Sequence, residues 1–366
     1  MSVVVGQGVA AIDTPALVID LDAMQRNLAA MAAFARESGL RLRPHAKTHK
    51  SAWLAQQQIA QGAVGVCVQK TSEAEALAAK GVRDIFITNE VVDQGKLARV
   101  AALAREVALA IAVDSALGIQ RLAAALQAAD SKLDVLVEID VGHGRCGAPP
   151  RQAAVLAHSL TRHGLRFAGL QAYHGRAQHL RGVAERSAAI DASAQAVRDA
   201  LAALKTAGIA CPLVSGAGSG SFVLEAGSGL WGELQCGSYL FMDRDYADND
   251  ALPGAPRFEH ALFVKTQVMS CAADRAVIDA GHKSHAIDSG LPRVWGRDDL
   301  DFVNGGDEHG ILRGSALPAL GETVWLVPGH CDPTVNLHDA MIGVRGGLAH
   351  GVVERVIAVD ARGCVT

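Results

Sequence analysis

One lysine of the chain lies among histidines in a segment that could support chemistry. The segment RPHAKTHK (43–50) places Lys47 two residues from both His45 and His49. A lysine that forms an imine with a carbonyl compound has to lose its proton, which partial burial and neighbouring cations both favour. Taken alone, a solvated loop lysine is the commoner outcome. A reactive Lys47 is therefore a hypothesis that depends on its surroundings.

Two glycine-containing segments could bind the anionic parts of a ligand. DVGHGRCG (140–147) carries Arg145, whose guanidinium could bind a phenolate or carboxylate oxygen, or could instead pair with the acids of its own strand. SGAGSGS (215–221) has glycines that let backbone N–H groups approach an anion, and its serines add hydroxyl donors. This second segment favours a phosphate site, although Gly/Ser loops are common.

A third segment collects ionisable side chains. YHGRAQH (173–179) supplies Tyr173, His174 and His179. Three such residues in one short stretch favour acid–base chemistry. Histidines that only form structural hydrogen bonds are the alternative.

A fourth segment could hold a metal ion. In PGHCDPTVNLHD (328–339), His330 and Asp332 share one face of an extended chain, and Cys331 points to the other face. A histidine–carboxylate pair completed by water and substrate oxygens suits Mn²⁺, Mg²⁺ or Zn²⁺. Two other residues of the segment are rival ligands: His338 and Asp339.

The elements that must position these segments form a repeating pattern. Short β-rich runs alternate with Ala/Leu-rich segments of helical period, such as 20–38 and 184–207. The candidate strands lie at 41–45, 64–69, 84–89, 108–114, 134–140, 166–173, 212–216 and 232–237. Eight such units predict an α/β fold with a closed (β/α)₈ TIM barrel, in which functional residues gather at the C-terminal ends of the strands.

The pattern changes near residue 250. A polar segment with proline and glycine, 247–257, ends the helical periodicity. Short β runs then continue to the end of the chain. We therefore expect a smaller, mainly β domain to follow the barrel.

Composition restricts the class of protein. The chain has 366 residues, of which 50% are hydrophobic and 20% are charged, and its formal net charge is −4. These values predict a large core and no nucleic-acid partner. No stretch approaches the roughly 18 apolar residues of a membrane-spanning helix, and no signal segment begins the chain. Seven cysteines without a C-x-x-C pair suit free thiols. We expect a cytoplasmic protein without a membrane partner.

An ordered series of motifs covers almost the whole length of the chain. The motifs are DTPALVIDLDAM, RPHAKTHK, QKTSEAEA, TNEVV, VEIDVGHGRCG, GLQAYHG, GSYLFMD, DAGHKS, DEHG and PGHCDPTVNLHD. In this order the chain resembles D-threonine aldolases and eukaryotic-type D-serine dehydratases, which are alanine-racemase-like enzymes of fold type III that use pyridoxal 5'-phosphate (PLP). The H-x-D pattern at His330 and Asp332 favours the aldolases, since the dehydratases carry H-x-C there.

The resemblance implies a role for each matching residue. Lys47 binds PLP as an imine, Arg145 lies near the ring oxygen of the cofactor, and Tyr173 lies at its ring. Gln235 takes the place at the ring nitrogen where alanine racemases have an arginine. The remaining cofactor-binding residues are Gly218, Ser219, Gly220, Gly237 and Ser238 around the phosphate, with Ser215 and Tyr239 near them. The implied metal ligands are His330 and Asp332, and the implied base toward the substrate hydroxyl is His179.

The resemblance also implies a division of the chain and an oligomeric state. A PLP-binding barrel would span residues 24–250. The β domain with the metal site would combine residues 1–23 with residues 251–366. Enzymes of this fold type usually form homodimers, so we expect a homodimer here.

The implied activity is a retro-aldol cleavage of D-β-hydroxy amino acids that depends on PLP and a divalent metal. D-Threonine would give glycine and acetaldehyde, and the metal would be Mn²⁺ or Mg²⁺, with Co²⁺ and Zn²⁺ as further candidates. The nearest alternative is a dehydratase acting on D-serine or 3-hydroxyaspartate. A β-hydroxyaspartate aldolase is another, and it would need a pocket cation from His282, Lys283, His285 or Arg313. A PLP carrier without activity and a PLP-free barrel for sugar phosphates are less favoured.

Overall fold

The chain folds around two β-sheets. The structure is a computed structural model that describes residues 4–366. Its strands are β1 (Ala16–Asp20), β2 (Arg41–Leu42), β3 (Val66–Val68), β4 (Asp84–Glu90), β5 (Ala108–Val113), β6 (Asp134–Glu138), β7 (Arg166–Ala172), β8 (Val214–Gly216), β9 (Glu233–Leu234), β10 (Leu262–Ala272), β11 (Arg275–Ile278), β12 (Arg293–Val294), β13 (Leu300–Asn304), β14 (Gly310–Gly314), β15 (Thr323–Val327), β16 (Ala340–Arg345) and β17 (Val352–Ala358).

Helices connect most of the strands in the first two thirds of the chain. The α-helices are α1 (Leu21–Glu37), α2 (Ala52–Ala60), α3 (Thr71–Ala79), α4 (Gln94–Leu103), α5 (Ala116–Ala129), α6 (Ala153–Arg162), α7 (Val183–Thr206), α8 (Phe222–Ser228), α9 (Arg244–Ala247), α10 (Cys331–Val335) and α11 (Gly347–His350). Short 3-10 helices lie at Val9–Ala11, Ala46–Thr48, Pro150–Gln152, Arg176–His179 and Ser238–Leu240. Within residues 4–366, the helices lack the combination of length and apolar character that crossing a membrane requires.

The first sheet is a parallel barrel. Its strand order is β2-β9-β8-β7-β6-β5-β4-β3. Between β2 and β3 the amide of Val64 donates to the carbonyl of Leu42 at 2.9 Å, and the amide of Cys67 donates to that of Pro44 at 2.8 Å. These bonds close the ring. The predicted (β/α)₈ barrel is confirmed, and each candidate strand overlaps one observed strand.

Alternate residues of the barrel strands face opposite sides, as the pleat requires. In β4, Ile85 and Ile87 pack with the apolar residues of the surrounding helices. Phe86 lies between them in the sequence but belongs to a separate cluster inside the barrel. That interior cluster contains Cys67, Phe86, Ala112 and Leu136. The barrel is therefore a packed core, and a ligand has to bind at its rim.

The second sheet contains both early and late parts of the chain. Its order is β13-β14-β11-β10-β1-β16-β17, with β15 pairing with both β10 and β12. Strand β1 is antiparallel to β10 and parallel to β16. It is wholly buried apart from its last residue, so the strand that precedes the barrel lies in the middle of the mainly β sheet.

Candidate active site

Residues at the C-terminal ends of the barrel strands enclose a cavity that contains Lys47. The lining residues are His45, Lys47, Thr48, Gln69, Thr88, Arg145, Gln171, Tyr173, Gly218, Ser219, Gln235, Gly237, Ser238 and Tyr246. The structure thus brings together residues from seven strand ends that are far apart in the sequence. Predicted site residues among them are Lys47, Arg145, Tyr173, Gly218, Ser219, Gln235, Gly237 and Ser238.

Lys47 lies on the 3-10 helix that follows β2, opposite the second sheet. Its Nζ is 3.8 Å from Asp332 Oδ2. Burial lowers the pKa of Lys47, but the charges of Tyr173 and Asp332 raise it by more, and the net shift is upward. The charge of Arg145 lowers this pKa, which is the effect expected of a neighbouring cation, but the acidic groups outweigh it.

The two histidines beside Lys47 are structural and neutral. His45 Nδ1 accepts from the amide of Lys47 at 3.3 Å, and its Nε2 is 3.1 Å from Thr88 Oγ1. His49 Nε2 is 3.2 Å from Gln58 Oε1. Burial lowers the pKa of His45 well below its ordinary value and lowers the pKa of His49 to about 4. These rings fix the shape of the Lys47 turn and add no positive charge to it.

Arg145 faces the cavity with its charge available for a ligand. Among the acids of its own strand, burial and the charge of Glu90 raise the pKa of Glu138. Glu138 is close enough for the charge of Arg145 to lower its pKa, but by less, so the net shift is upward. Asp140 Oδ1 accepts from the amides of Gly142 at 2.9 Å and Gly144 at 3.1 Å. Arg145 therefore lines the cavity and is also near Glu138, and its binding of an anionic ligand oxygen stays a prediction.

Two glycine-containing loops form a cradle on one side of the cavity. A Cβ at Gly218 would lie 2.4 Å from Gln178 Oε1, and a Cβ at Gly237 would lie 2.6 Å from Thr48 Oγ1. A Cβ at Gly237 would also lie 2.8 Å from the backbone carbonyl oxygen of His45, so that position excludes any side chain, whereas a Cβ at Gly218 would require the Gln178 side chain to move. Thr48 Oγ1 is buried and has no hydrogen-bond partner among residues 4–366. A buried hydroxyl without a partner, next to a loop that only glycine fits, suits the oxygens of a phosphate group.

A chain of hydrogen bonds fixes the amides on the opposite wall. The carboxylate of Glu233 accepts from Arg43 Nε at 3.2 Å and from Ser215 Oγ at 2.7 Å. Because a carboxylate only accepts, Ser215 donates to it and accepts from Gln235 Nε2 at 2.8 Å. Gln235 Nε2 also donates to Gln171 Oε1 at 2.7 Å. Both N–H groups of Gln235 are therefore used, and its Oε1 accepts from Gln171 Nε2 at 3.2 Å, so this wall is a neutral pair of amides.

Three predicted cofactor residues, Ser215, Gly220 and Tyr239, do not line this cavity. Ser215 lies behind Gln235, and its hydroxyl accepts from the side-chain amide of that residue. The amide of Gly220 donates to Gln178 Oε1 at 2.9 Å. The ring of Tyr239 is buried in the core, and only its amide reaches the cradle, where it donates to Ser219 Oγ at 2.9 Å.

His330 and Asp332 lie beside the cavity. His330 Nε2 is 3.8 Å from Asp332 Oδ1, which is buried without a hydrogen-bond partner in the described chain. His330 Nδ1 is 2.7 Å from Asp243 Oδ2. Burial lowers the pKa of His330, but the charges of Asp332 and Asp243 raise it to about 9. The pair therefore forms an environment that favours a bound cation.

The local conformation differs from the predicted extended segment. Only His330 is extended, because α10 begins at Cys331. The rival ligands point elsewhere: His338 Nε2 is 2.9 Å from the carbonyl of Ser284, and Asp339 pairs with Arg362. Among residues 4–366, no group of three or more histidine, cysteine or acidic side chains converges as a metal site. Water or substrate would have to complete the coordination of any ion held here.

His179 lies at the same mouth, at the end of the 3-10 helix that follows β7. Its Nδ1 is 2.6 Å from Asp245 Oδ2. The ring of Tyr246 is 5.8 Å from that of His179 and 6.2 Å from that of His330, measured between centroids. His174 instead has a structural role, since its Nδ1 accepts from the amide of Ala177 at 3.2 Å.

Several residues of the site were not predicted. Thr48 and Gln171 adjoin predicted residues, and position at the end of a barrel strand was the available signal for both. Three more residues lie after β9 and had no predicted role. Asp243 ends the motif GSYLFMD of the family resemblance, and Asp245 and Tyr246 follow that motif.

Comparisons with known proteins define the class to which this fold and site belong. Residues 19–245 match the family described as "Alanine racemase, N-terminal domain", and residues 261–344 match the "Putative serine dehydratase domain". The chain therefore belongs to the alanine racemase N-terminal domain family, and the predicted resemblance is confirmed.

Individual relatives indicate which activities occur among proteins similar to this chain. The chain is 44% identical to the D-threonine aldolase of Arthrobacter sp, over 98% of this chain and 95% of the relative. It is 43% identical to the 3-hydroxy-D-aspartate aldolase of Paracoccus denitrificans (strain Pd 1222), over 96% and 92% of the two chains. The crystal structure of D-threonine aldolase from Filomicrobium marinum superposes with a TM-score of 0.97 at 46% identity, over 100% of both chains.

A relative with the alternative activity is more distant. The chain is 34% identical to the D-threo-3-hydroxyaspartate dehydratase of Delftia sp. (strain HT23), over 82% of this chain and 83% of the relative. The similarity is thus greater to the aldolases than to this dehydratase.

Proposed function

We propose that this protein is a PLP-dependent lyase that cleaves D-β-hydroxy amino acids into glycine and an aldehyde, with a divalent metal bound by His330 and Asp332. One observation carries the proposal. Lys47 Nζ is 3.8 Å from one oxygen of Asp332, and the other oxygen of Asp332 is 3.8 Å from His330 Nε2. A lysine for the cofactor and a ligand pair for a metal therefore adjoin, so a single substrate can reach both.

The cavity residues fit PLP. The amine of Lys47 would hold the cofactor aldehyde. The buried hydroxyl of Thr48, which lies beside Gly237 and has no hydrogen-bond partner among residues 4–366, would donate to a phosphate oxygen. Arg145 supplies a charge for an anionic oxygen. When bound, PLP supplies an electron sink for negative charge at the substrate Cα. The paired, uncharged amides of Gln171 and Gln235 leave the far wall neutral.

The donor set at His330 and Asp332 fits a divalent cation. The 3.8 Å between His330 Nε2 and Asp332 Oδ1 is below about 4.2 Å, the sum of two ordinary metal–ligand bonds. Asp332 Oδ1 also lacks a partner among residues 4–366. An imidazole and a carboxylate suit Mn²⁺ or Mg²⁺, with Co²⁺ and Zn²⁺ as further candidates. A cation held there would lower the pKa of a hydroxyl bound to it.

His179 is the proposed base toward the substrate hydroxyl. Its Nδ1 faces Asp245, so its Nε2 is the nitrogen left for a proton from the substrate. Half of its side chain is exposed at the mouth of the site, where a substrate can reach it. Proton removal from the β-hydroxyl favours cleavage of the Cα–Cβ bond, whereas removal of the Cα proton by Lys47 would favour loss of the hydroxyl as water.

The substrate is more specifically a D-β-hydroxy amino acid with a neutral β-substituent, such as D-threonine. Three of the four residues considered for a second substrate carboxylate face acids: His282 faces Asp307, Lys283 pairs with Asp307 and Glu308, and Arg313 pairs with Asp274. The fourth, His285, carries no charge at neutral pH because burial lowers its pKa to about 4. The 43% identity with a 3-hydroxy-D-aspartate aldolase supports hydroxyaspartate as the second candidate. Direct comparison of the two substrates decides between them.

The proposal includes a homodimer in the cytoplasm. The homodimer follows from the family resemblance. The seven cysteines are all free, which is typical of proteins from a reducing compartment. Light scattering of the purified protein measures the oligomeric state. Localisation of the tagged full chain shows the compartment.

Product analysis tests the proposed reaction. Purified protein supplied with PLP and Mn²⁺ should convert D-threonine to glycine and acetaldehyde and leave L-threonine unchanged. Formation of ammonia and 2-oxobutanoate instead would assign the protein to the dehydratases. Lys47→Ala should abolish both product formation and the visible absorption of the lysine-bound cofactor.

A further inference from the structure

The short segment after the last barrel strand contacts both histidines of the site. Asp243 Oδ2 is 2.7 Å from His330 Nδ1, and Asp245 Oδ2 is 2.6 Å from His179 Nδ1. Tyr246 is the next residue, and its ring lies 5.8 Å from the ring of His179 and 6.2 Å from that of His330. Two carboxylates with one residue between them therefore bind two imidazoles that come from different parts of the chain.

The carboxylate of Asp243 is held on both oxygens. Its side chain is fully buried. Its Oδ1 accepts from the amide of Tyr246 at 3.0 Å and so caps α9, while its Oδ2 accepts from the amide of Cys331 at 2.9 Å as well as from His330. A carboxylate with these three donors cannot turn away from His330 without breaking the cap.

Backbone bonds attach the same segment to the loop that carries His330. The amide of Arg244 donates to the carbonyl of Pro328 at 3.1 Å, and the amide of Asp245 donates to that of Gly329 at 3.0 Å. The segment thus joins the barrel rim to the loop before α10. Its two carboxylates are fixed relative to that loop.

The carboxylate of Asp245 is also fixed and remains charged. Only 5% of its side chain is exposed, and Arg181 donates both to its Oδ1 and to its backbone carbonyl. Burial raises the pKa of Asp245, but His179 and Arg181 lower it by more, so the net shift is downward. Asp245 is therefore an acceptor for the Nδ1–H of His179.

We propose that Asp243 and Asp245 are positioning residues that keep the Nδ1 proton on His330 and His179 and so direct the Nε2 lone pairs of both rings to the active site. A carboxylate can only accept, so each facing Nδ1 has to carry a hydrogen, and a ring that gives up its other proton, as His330 would on binding a metal, then has its lone pair on Nε2. Asp243 serves the proposed metal ligand, and Asp245 serves the proposed base. These roles rest on the proposed function.

Substitutions of the two positioning residues should affect different properties, metal affinity for Asp243 and the rate of cleavage for Asp245. Loss of the carboxylate behind a metal-binding histidine commonly lowers metal affinity by about 10–100-fold. We therefore expect Asp243→Asn to weaken Mn²⁺ binding by that factor. Asp245→Asn should leave Mn²⁺ affinity within about twofold, and should lower kcat for D-threonine by at least about 100-fold, with little change in KM, because a base contributes about 10²–10⁴ to rate.

Asp248→Asn is the matched control. Asp248 ends the same short helix, but its carboxylate pairs with Arg244 and Arg293 at the surface. This variant should retain both the Mn²⁺ affinity and the kcat of the unmodified protein. All three variants are prepared with PLP, and the visible absorption of the cofactor reports whether each is folded and loaded. Mn²⁺ titration followed by electron paramagnetic resonance gives the affinity.

Nitrogen-15 spectra of the histidines test the proton positions without a variant. In protein loaded with PLP and Mg²⁺, Nδ1 of His179 and His330 should carry the hydrogen, and Asp245→Asn should move the His179 signals alone. A proton on Nε2 of either ring would overturn the proposal, as would equal loss of Mn²⁺ affinity in both variants. If D-threonine is not cleaved at all, the proposed function fails, but the Mn²⁺ titration and the spectra still decide the roles of Asp243 and Asp245.

Discussion

Two buried oxygens without partners in the described chain support the ligands proposed for the site. Thr48 Oγ1 and Asp332 Oδ1 are buried, and neither has a hydrogen-bond partner among residues 4–366. An unsatisfied buried polar group destabilises a protein by about 1–3 kcal/mol. Other buried atoms of the described chain, such as Ser51 Oγ and Thr71 Oγ1, also lack a partner, so the neighbours of each oxygen have to indicate its ligand. Thr48 lies beside the glycine loops and Asp332 beside His330, which suits the proposed phosphate of PLP and the proposed metal ion.

Removal of the Thr48 hydroxyl tests the phosphate assignment. Thr48→Val keeps the side-chain shape and should lower PLP affinity by about tenfold, which corresponds to one hydrogen bond to a charged group. The stability of the PLP-free protein should not fall, because the hydroxyl has no partner within the described chain. Titration with PLP, followed by absorption, measures the affinity.

Thr206→Val is the control for this substitution. Thr206 is exposed at the end of α7, and its hydroxyl donates to the carbonyl of Ala202. It should bind PLP as the unmodified protein does. Equal PLP affinity in Thr48→Val and the unmodified protein would remove Thr48 from the phosphate site.

Glu225 gives the fold a pH dependence of known sign. Burial raises its pKa to about 7, although Ser221 Oγ donates to it at 2.8 Å. Between the ordinary carboxyl value and pH 7 the folded protein therefore holds a proton that the unfolded chain has lost. The contribution of Glu225 to stability is fully present at low pH and declines by about 3 kcal/mol as pH rises through 7.

Glu225→Gln should remove this decline. The difference in unfolding free energy between the variant and the unmodified protein should move in favour of the variant between pH 5 and pH 8. Urea unfolding at the two pH values measures it, with Glu185→Gln as an exposed control on α7. A difference that does not change with pH would show that Glu225 is ionised in the folded protein throughout.

At the scale of elements, hydrophobic periodicity predicted the helices and strands along the chain. It could not predict which residues of different elements contact one another. The helix at 20–38 was predicted from apolar spacing, and α1 spans Leu21–Glu37 because Asp20 accepts from the amides of Asp22 and Ala23. By contrast, Gln171 and Gln235 are 64 residues apart in the sequence. Their side-chain amides pair inside the barrel, although β8 lies between the strands β7 and β9 that carry or precede them. No local pattern records such a contact.

Strand β1 illustrates the dependence of one element on distant ones. Ile19 is completely buried in the core of the second sheet, where β1 pairs with β10 and β16. Ile19→Ala should therefore lower the unfolding free energy by about 2–5 kcal/mol. Val356→Ala on β17, where 44% of the residue is exposed, should change it by less than about 1 kcal/mol. Similar losses in both variants would argue against a central β1.

At the scale of the whole molecule, the site lies where the barrel meets the loops of the second sheet. The sequence predicted the barrel because eight βα units repeat, and it predicted a β-rich region because the helical period stops near residue 250. It could not show that Asp332 faces Lys47, since Lys47 follows a strand of the first sheet and Asp332 follows a strand of the second. It also gave no sign that the pKa of Lys47 is raised, because that depends on Tyr173 and Asp332 in space.

The joint use of Lys47 and the His330/Asp332 pair is the central claim, and metal removal tests it most directly. D-Threonine cleavage by PLP-loaded protein is followed before EDTA, after EDTA and after addition of excess Mn²⁺, while the visible absorption of the cofactor is recorded in the same sample. We expect glycine formation to stop with EDTA and return with Mn²⁺, with the cofactor absorption unchanged because PLP stays on Lys47. Glycine formation that continues at full rate in EDTA would contradict the account.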